Sequence, residues 1–404
     1  MIQAVLFERY DQIVYIMAIN NFIRAKLHGI LRKVYFLYFI IFRRLYPIDE
    51  DKFLFVSMNG KSYGCNVKPL SDYAIGFRNK KAVWAFTKKM YSSVHDDQIS
   101  KVLLNTFVYY KELYTSKYVV SNFRMTRDVF PYKRHGQKYM QLWHGTALKK
   151  IEADAPSLGT SYMKSVIPDS EKIDYFISGS DFMTRIYKSA FWYNGEVYET
   201  GMPRNDIFFM SLPGLVDKVK NFLHINSNEN IVLYAPTFRN DKDSFECYDI
   251  STELLMTSIR KKFGGKWKLL VRLHPALVKE HNLERIEKMF PNAIDASAYP
   301  DMQELLYAAD ILITDYSSSM FDYMYSNKPC FLYVKDKDTY DRGFYINIDD
   351  LPFPKIISNE YLESVIASFS IDDYRCKIRM FEERIGSVDD GNATERCYNL
   401  LIKG

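Results

Sequence analysis

A chain of 404 residues is longer than one hydrophobic core usually supports, which excludes a single small module and predicts two folded units of about 150–200 residues each. Hydrophobic residues make up 48% and charged residues 25%, with 17 Gly and 14 Pro, values that exclude a disordered or collagen-like chain. The formal charge of +5 is local: six basic residues and no acidic one lie between Phe22 and Leu45, so the remainder is −1 and nucleic acid is not an expected partner.

That basic stretch encloses the apolar run from Val34 to Phe42, with Arg32 and Lys33 before it and Arg43 and Arg44 after it. Nine residues cannot span a bilayer, and the run leads into Leu45-Tyr46-Pro47 with no small-residue cleavage site, so export is not expected. Residues 1–50 therefore read as an interfacial helical segment, its basic groups on anionic lipid and its Tyr and Phe rings at headgroup depth. The competing reading buries this helix against the first domain. Cys65, Cys247, Cys330, Cys376 and Cys397 are scattered and form no CxxC pair, which fits a reducing cytoplasm and argues against a zinc site.

Further along, Lys52 to Met58, Val83 to Phe86, Tyr118 to Ser121, Lys138 to Trp143 and Tyr175 to Ser178 have the apolar look of buried strands. Helical stretches from Asp97 to Leu113 and from Asp181 to Ala190 lie between them. A second series begins near Ile231 and continues with Trp267 to Leu273, Ile311 to Thr314 and Cys330 to Val334. Strands alternating with helices predict an α/β chain with parallel sheets, and the polar stretch near 205–225 predicts a junction between units 51–210 and 211–404. Two such units facing each other leave a cleft at the carboxyl ends of their strands, where a nucleotide ligand is expected.

Chemistry-bearing residues gather at these strand ends. In Gln141-Leu142-Trp143-His144-Gly145-Thr146 an imidazole follows a strand, where it can take a proton from an incoming hydroxyl while Gly145 lets substrate approach the backbone. Tyr234-Ala235-Pro236-Thr237-Phe238-Arg239 and Arg272-Leu273-His274-Pro275 repeat the pattern, so Arg239, Arg272 and His274 form a cationic set suited to phosphate oxygens. Thr314-Asp315-Tyr316-Ser317-Ser318-Ser319 joins a strand to a helix through hydroxyls that can hold an anion or cap the helix. Asp322 can accept from polyol hydroxyls or favour the helix start. No GxxxxGK[ST], no glycine-rich dinucleotide fingerprint and no HExxH is present, so neither cofactor nor metal is expected.

Taken together, WHGTALKK, GMPRND, YAPTFR, RLHP and ITDYSSSMFDYMYSNKP resemble, in order, the motifs of the CDP-glycerol glycerophosphotransferase-like enzymes that build teichoic acids and related polyol-phosphate polymers. The resemblance runs from about Phe53 to Cys397 and leaves the first fifty residues outside, a stretch too short for a further glycosyltransferase domain. It implies a GT-B-type architecture, two Rossmann-like domains about a central cleft, with 51–210 serving the acceptor and 211–404 the CDP-polyol donor. By the same resemblance, His144 deprotonates the acceptor hydroxyl, and His274 with Arg272 stabilises the pyrophosphate as CMP leaves. Arg204, Thr237, Arg239, Ser317, Ser318 and Asp322 hold the donor, with Trp143, Gly145, Thr146 and Pro236 also lining the substrate site. The implied partners are CDP-glycerol or CDP-ribitol, a lipid-linked or polymeric acceptor, and the anionic cytoplasmic face of the membrane. A nucleotide-sugar glycosyltransferase is the alternative enzyme, and a polymer-binding scaffold the alternative class. Ala147 stands where the family usually has proline, a departure expected to loosen the loop after His144.

Overall fold

The computed structural model describes residues 34, 36–156, 158–237, 248–273, 288–337, 340 and 343–403. Arg32, Lys33, Arg239 and His274, on which the sequence places expectations, lie outside the described residues.

Residues 36–45 form a helix, α1. The elements of the first half are then β1 (Asp49–Val56), α2 (Val67–Gly76), β2 (Lys81–Phe86), α3 (Lys88–Ser93), β3 (Ser100–Leu103), α4 (Phe107–Thr115), β4 (Ser116–Ser121), β5 (Lys138–Gln141), α5 (Thr160–Ser170), β6 (Tyr175–Ser178), α6 (Asp181–Ala190) and β7 (Val197–Glu199). Their strands make one parallel seven-stranded sheet in the order β3-β2-β1-β4-β5-β6-β7. Phe53, Leu54, Phe55 and Val56 are buried in succession, as a central strand covered on both faces requires.

The second half holds α7 (Pro213–Phe222), β8 (Glu229–Tyr234), α8 (Thr252–Phe263), β9 (Lys266–Val271), β10 (Ile294–Asp295), α9 (Met302–Ala308), β11 (Ile311–Thr314), α10 (Ser319–Tyr323), β12 (Cys330–Tyr333), β13 (Lys355–Ile356), α11 (Asn359–Ala367), α12 (Ile371–Ile385) and α13 (Ala393–Lys403). A parallel six-stranded sheet runs β10-β9-β8-β11-β12-β13. The chain then returns, and Cys397, Tyr398 and Leu401 of α13 join the core against Phe53, Phe55 and Trp84 of the first sheet. Asp206 caps this helix from across the molecule, accepting from the N–H groups of Ala393 at 3.0 Å and Thr394 at 2.8 Å.

Two expectations need correction. The stretch Asp97 to Leu113 is not one helix but β3 followed by α4. Asn105 takes a positive φ of 62°, and the Thr106 side chain accepts from Tyr109 N–H, so the helix cannot begin earlier. The strand expected to reach Trp143 stops at Gln141, because the Gln141 side-chain carbonyl takes the Trp143 N–H at 3.0 Å and Trp143 turns to φ 49°. In the remaining strands the expected and observed cores agree, with ends differing by a few residues.

In both sheets the first strand in chain order sits centrally, with later strands added on either side. Loops after β1 and β4, and again after β8 and β11, therefore diverge in opposite directions and open a crevice at the strand ends. Among the described residues, His144, Thr237, Ser317 and Ser318 lie near these strand ends.

Candidate active site

His144 enters the site from the turn after β5. Its Nδ1 lies 2.9 Å from the carbonyl oxygen of Asn122, which follows β4, so the ring donates there and leaves the Nε2 lone pair available as a proton acceptor. The imidazole is held between Phe123 (ring centroids 5.3 Å, interplanar 23°) and Trp143 (4.0 Å, 35°). Burial pushes its pKa down to about 4, against the Asn122 hydrogen bond and with help from the nearby Arg204 charge, although part of the residue stays accessible. The ring is thus neutral across the physiological range.

Gly145 has φ 134°, and a Cβ added there would overlap Arg204 Nη2 and stand 3.1 Å from Ser318 Oγ. Only glycine lets the turn after β5 approach the serine turn of the other sheet this closely. Beyond it, Lys150 N–H bonds to Gly343 O at 3.0 Å and Tyr345 N–H to Leu148 O at 2.8 Å, tying the loop to the second half. The loop is not loosened by Ala147: its N–H donates to Met183 Sδ at 3.1 Å, a bond that the family's usual proline lacks the hydrogen to make.

Opposite His144, the second crevice is built by reciprocal bonds between its two loops. Thr314 Oγ1 donates to Ala235 O at 2.7 Å, and the Asp315 carboxylate takes Thr237 N–H at 2.9 Å. Pro236 is buried between them. The Ser317 hydroxyl accepts from Ser319 N–H and from its Oγ at 2.9 Å, while Ser318 precedes the five-residue helix α10 and makes no side-chain cap bond to it. Thr146, Thr237, Ser317 and Ser318 are all partly accessible.

Arg204 and Asp322, expected as donor ligands, are buried and paired with each other. Arg204 Nη2 lies 2.7 Å from Asp322 Oδ2, and Nη1 donates to His144 O at 2.7 Å and to Cys65 Sγ at 3.3 Å. Burial works against the Arg204 charge, but Asp322 offsets it and keeps the guanidinium protonated. Asn66, also buried, accepts Arg204 N–H at 3.1 Å and donates to Trp143 O at 3.0 Å, joining both loops. Arg272 follows β9 and gives Nη1 to Tyr299 O at 2.8 Å and Ala296 O at 3.4 Å, so one nitrogen of the expected phosphate fork is occupied by the protein's own backbone.

Asn66, Asn122 and Asp389 belong to the site's framework but carried no motif signal. Asp389 is half-buried and takes Met202 N–H at 2.7 Å, Tyr325 O–H at 3.0 Å and an Asn205 Nδ2–H at 3.2 Å. Burial pushes its carboxyl up to about 7. Asn122 contributes only its backbone carbonyl to His144, and Asn66 and Asp389 act across long sequence separations and leave no local pattern.

A fold of two parallel sheets whose crevices meet at an imidazole, a glycine and a hydroxyl-rich turn defines a transferase-like α/β protein. Residues 37–403 match the sequence profile of CDP-glycerol:poly(glycerophosphate) glycerophosphotransferases, and the chain belongs to that family. The match begins inside α1, earlier than the motifs alone extend. The chain is 32% identical over 385 residues to a teichoic acid poly(glycerol phosphate) polymerase of Staphylococcus epidermidis, covering 89% of this chain and 53% of that protein. It is 28% identical over 389 residues to the polymerase of the same description from Bacillus subtilis, covering 93% and 51%. It therefore spans about half the length of these two relatives. A solved structure of the wall teichoic acid polymerase TagF superposes with a TM-score of 0.77 at 30% identity, covering 94% of this chain and 97% of that one.

Proposed function

We propose that the protein transfers glycerol phosphate or ribitol phosphate from a CDP-polyol to a hydroxyl of a membrane-linked teichoic-acid-type polymer, releasing CMP. The observation that carries this is the His144 tautomer: with Nδ1–H spent on Asn122 O, Nε2 is the acceptor at a cleft faced by the serine turn. In the reaction, Nε2 takes the acceptor proton as the hydroxyl oxygen attacks the phosphorus that bears the polyol. The bond from that phosphorus to the bridging oxygen breaks, and CMP leaves with the electron pair. Family membership supports the donor class, and the arrangement is that of a GT-B enzyme, with 51–210 binding the acceptor and 211–404 the donor.

Within this reading, Thr237, Ser317 and Ser318 meet the donor phosphates, while Trp143, Gly145, Thr146 and Pro236 shape the cleft. His274 and Arg239 complete the cationic set by family resemblance, and Arg272 offers its remaining nitrogens to the leaving phosphate. Arg204 and Asp322 act one step back, fixing the backbone that carries His144. The protein works at the cytoplasmic face of the membrane, held there peripherally; no helix among the described residues is long and apolar enough to cross a bilayer.

The test is a donor screen on purified protein with a lipid-linked acceptor. CMP release from CDP-glycerol or CDP-ribitol is expected, with a new phosphodiester by phosphorus NMR. Release of UDP from UDP-sugars instead would make the protein a nucleotide-sugar glycosyltransferase, and release of neither would favour a binding scaffold.

A further inference from the structure

A cavity of about 900 Å³ lies away from the cleft, between α1, the 127–135 loop and the segment after α5. Its walls belong to the residues just before β5 and β6, whereas His144 follows the other end of β5, so a strand's length, roughly 13 Å, separates the two places. The size falls within the usual range for small-molecule pockets.

The wall is strongly basic, and its charges divide into two sets. Arg134, Lys133 and Lys172 build it: Arg134 donates to Tyr114 O at 2.7 Å and to Arg43 O at 3.0 Å, Lys133 to Asp174 at 2.6 Å, and Lys172 to Phe130 O. These bonds pin the end of α1 to the sheet. Arg43, Arg44, Arg127 and His135 line the same space, are exposed, and make no side-chain hydrogen bond or ion pair among the described residues; Arg43 lies over the Phe39 ring at 5.6 Å. Only Asp128 and Glu171 among the lining residues are acidic. Burial depresses Lys172 to about 8, opposed by the Asp169 and Glu171 charges and helped by those of Arg127 and Lys133.

Beside this cavity α1 has two apolar faces. Phe39 and Phe42 are buried, with Phe39 stacked on Tyr132 at 5.1 Å. Leu37, Ile41 and Leu45, four residues apart, are 59%, 48% and 67% exposed on one stripe. The burial expected under the competing reading of this helix thus holds for one face only. An apolar stripe exposed beside a predominantly basic cavity has the complementarity of a bilayer surface, apolar beneath and anionic at the headgroups.

We propose that the cavity seats the phosphodiester headgroup of an anionic phospholipid while Leu37, Ile41 and Leu45 enter the acyl layer. This rests on the membrane-side working place proposed above and adds a built headgroup site to it. Arg44 and Arg127 supply the open charge, and the three tethered basic residues hold the walls apart.

Flotation of the full chain with phosphatidylglycerol vesicles, against phosphatidylcholine vesicles, tests this. The wild type should float with the anionic vesicles, and the deacylated headgroup glycerophosphoglycerol should compete. Arg44→Glu with Arg127→Glu should weaken partitioning at least about tenfold, and Leu37→Ser with Ile41→Ser should weaken it as well. Arg44→Gln with Arg127→Gln serves if the reversal does not fold. A folded charge variant that floats like the wild type overturns the cavity and leaves the membrane reading standing; a wild type that floats with neither vesicle overturns both. Soluble poly(glycerol phosphate) bound as tightly as vesicles, and lost in the same variants, would replace the lipid with the polymer as occupant. Transfer by the wild type onto a soluble acceptor needs no bilayer and reports on the transferase reading separately.

Discussion

The Arg204 guanidinium meets the Asp322 carboxylate at 2.7 Å while its other terminal nitrogen holds the carbonyl oxygen of His144, also at 2.7 Å. One side chain thus links the first-half 3₁₀ turn at Pro203–Phe209, helix α10 of the second sheet, and the backbone of the proposed base. Exchanging such a buried pair for apolar residues is often neutral, but removing one partner leaves an unpaired buried charge at a cost of about 3–5 kcal/mol. Arg204→Ala should therefore lower the unfolding temperature and reduce kcat by about a hundredfold through displacement of His144. Calorimetry paired with turnover checks this, and an intact kcat would remove Arg204 from the positioning role.

Gly145→Ala adds a methyl that overlaps Arg204 Nη2 at a backbone conformation that L residues rarely adopt. The expected outcome is a loss of about 1–3 kcal/mol of stability and of most activity. Chemical denaturation of the variant measures the first, CMP release the second.

His144 should give the pH profile an unusual acid limb. With its folded pKa near 4 instead of the ordinary 6.5, the ring stays a proton acceptor well below neutrality, so kcat/KM should hold between about pH 6.5 and about pH 5 and then fall. Stability carries the same sign: the contribution is full above about 6.5 and is lost as the pH falls toward 4, because the unfolded state takes up the proton first. A kcat/KM limb at about 6.5 in the free enzyme would contradict this.

Asp389 works in the opposite direction. Its folded pKa near 7 lies above the ordinary 3.8, so its contribution to stability is full below about 3.8 and is lost as the pH rises through 7. Asp389→Asn should flatten the change in unfolding temperature between these limits. An unaltered slope would mean that another group carries it.

Asp206→Ala should free the start of α13, at a cost of about 1–2 kcal/mol. Hydrogen exchange should speed up in 393–403 before it does in β1.

The strand cores, and the placing of His144 just after one of them, were legible because each is a local event. An apolar run such as Tyr175–Ser178 stops where polar residues begin, and an imidazole placed there announces itself. Strands β3, β7, β10 and β13 were not legible, since two to four residues at or near a sheet edge carry too little periodicity to distinguish them from loop. The roles of GMPRND in Arg204–Asp322, Asn205–Asp389 and the Asp206 cap depend on partners more than a hundred residues away, which no local pattern encodes. Asn122 contributes a backbone carbonyl to His144, an atom every residue has, so only geometry reveals it.

Whether Nε2 of His144 takes the acceptor proton is tested most directly by single-turnover CMP release from CDP-glycerol with polymeric acceptor, comparing the wild type with His144→Gln and measuring donor affinity separately. Donor affinity should be kept while the transfer rate falls by about a hundredfold to ten-thousandfold, the usual contribution of a general base. A His144→Gln protein that binds donor and transfers near the wild-type rate at neutral pH would contradict the assignment.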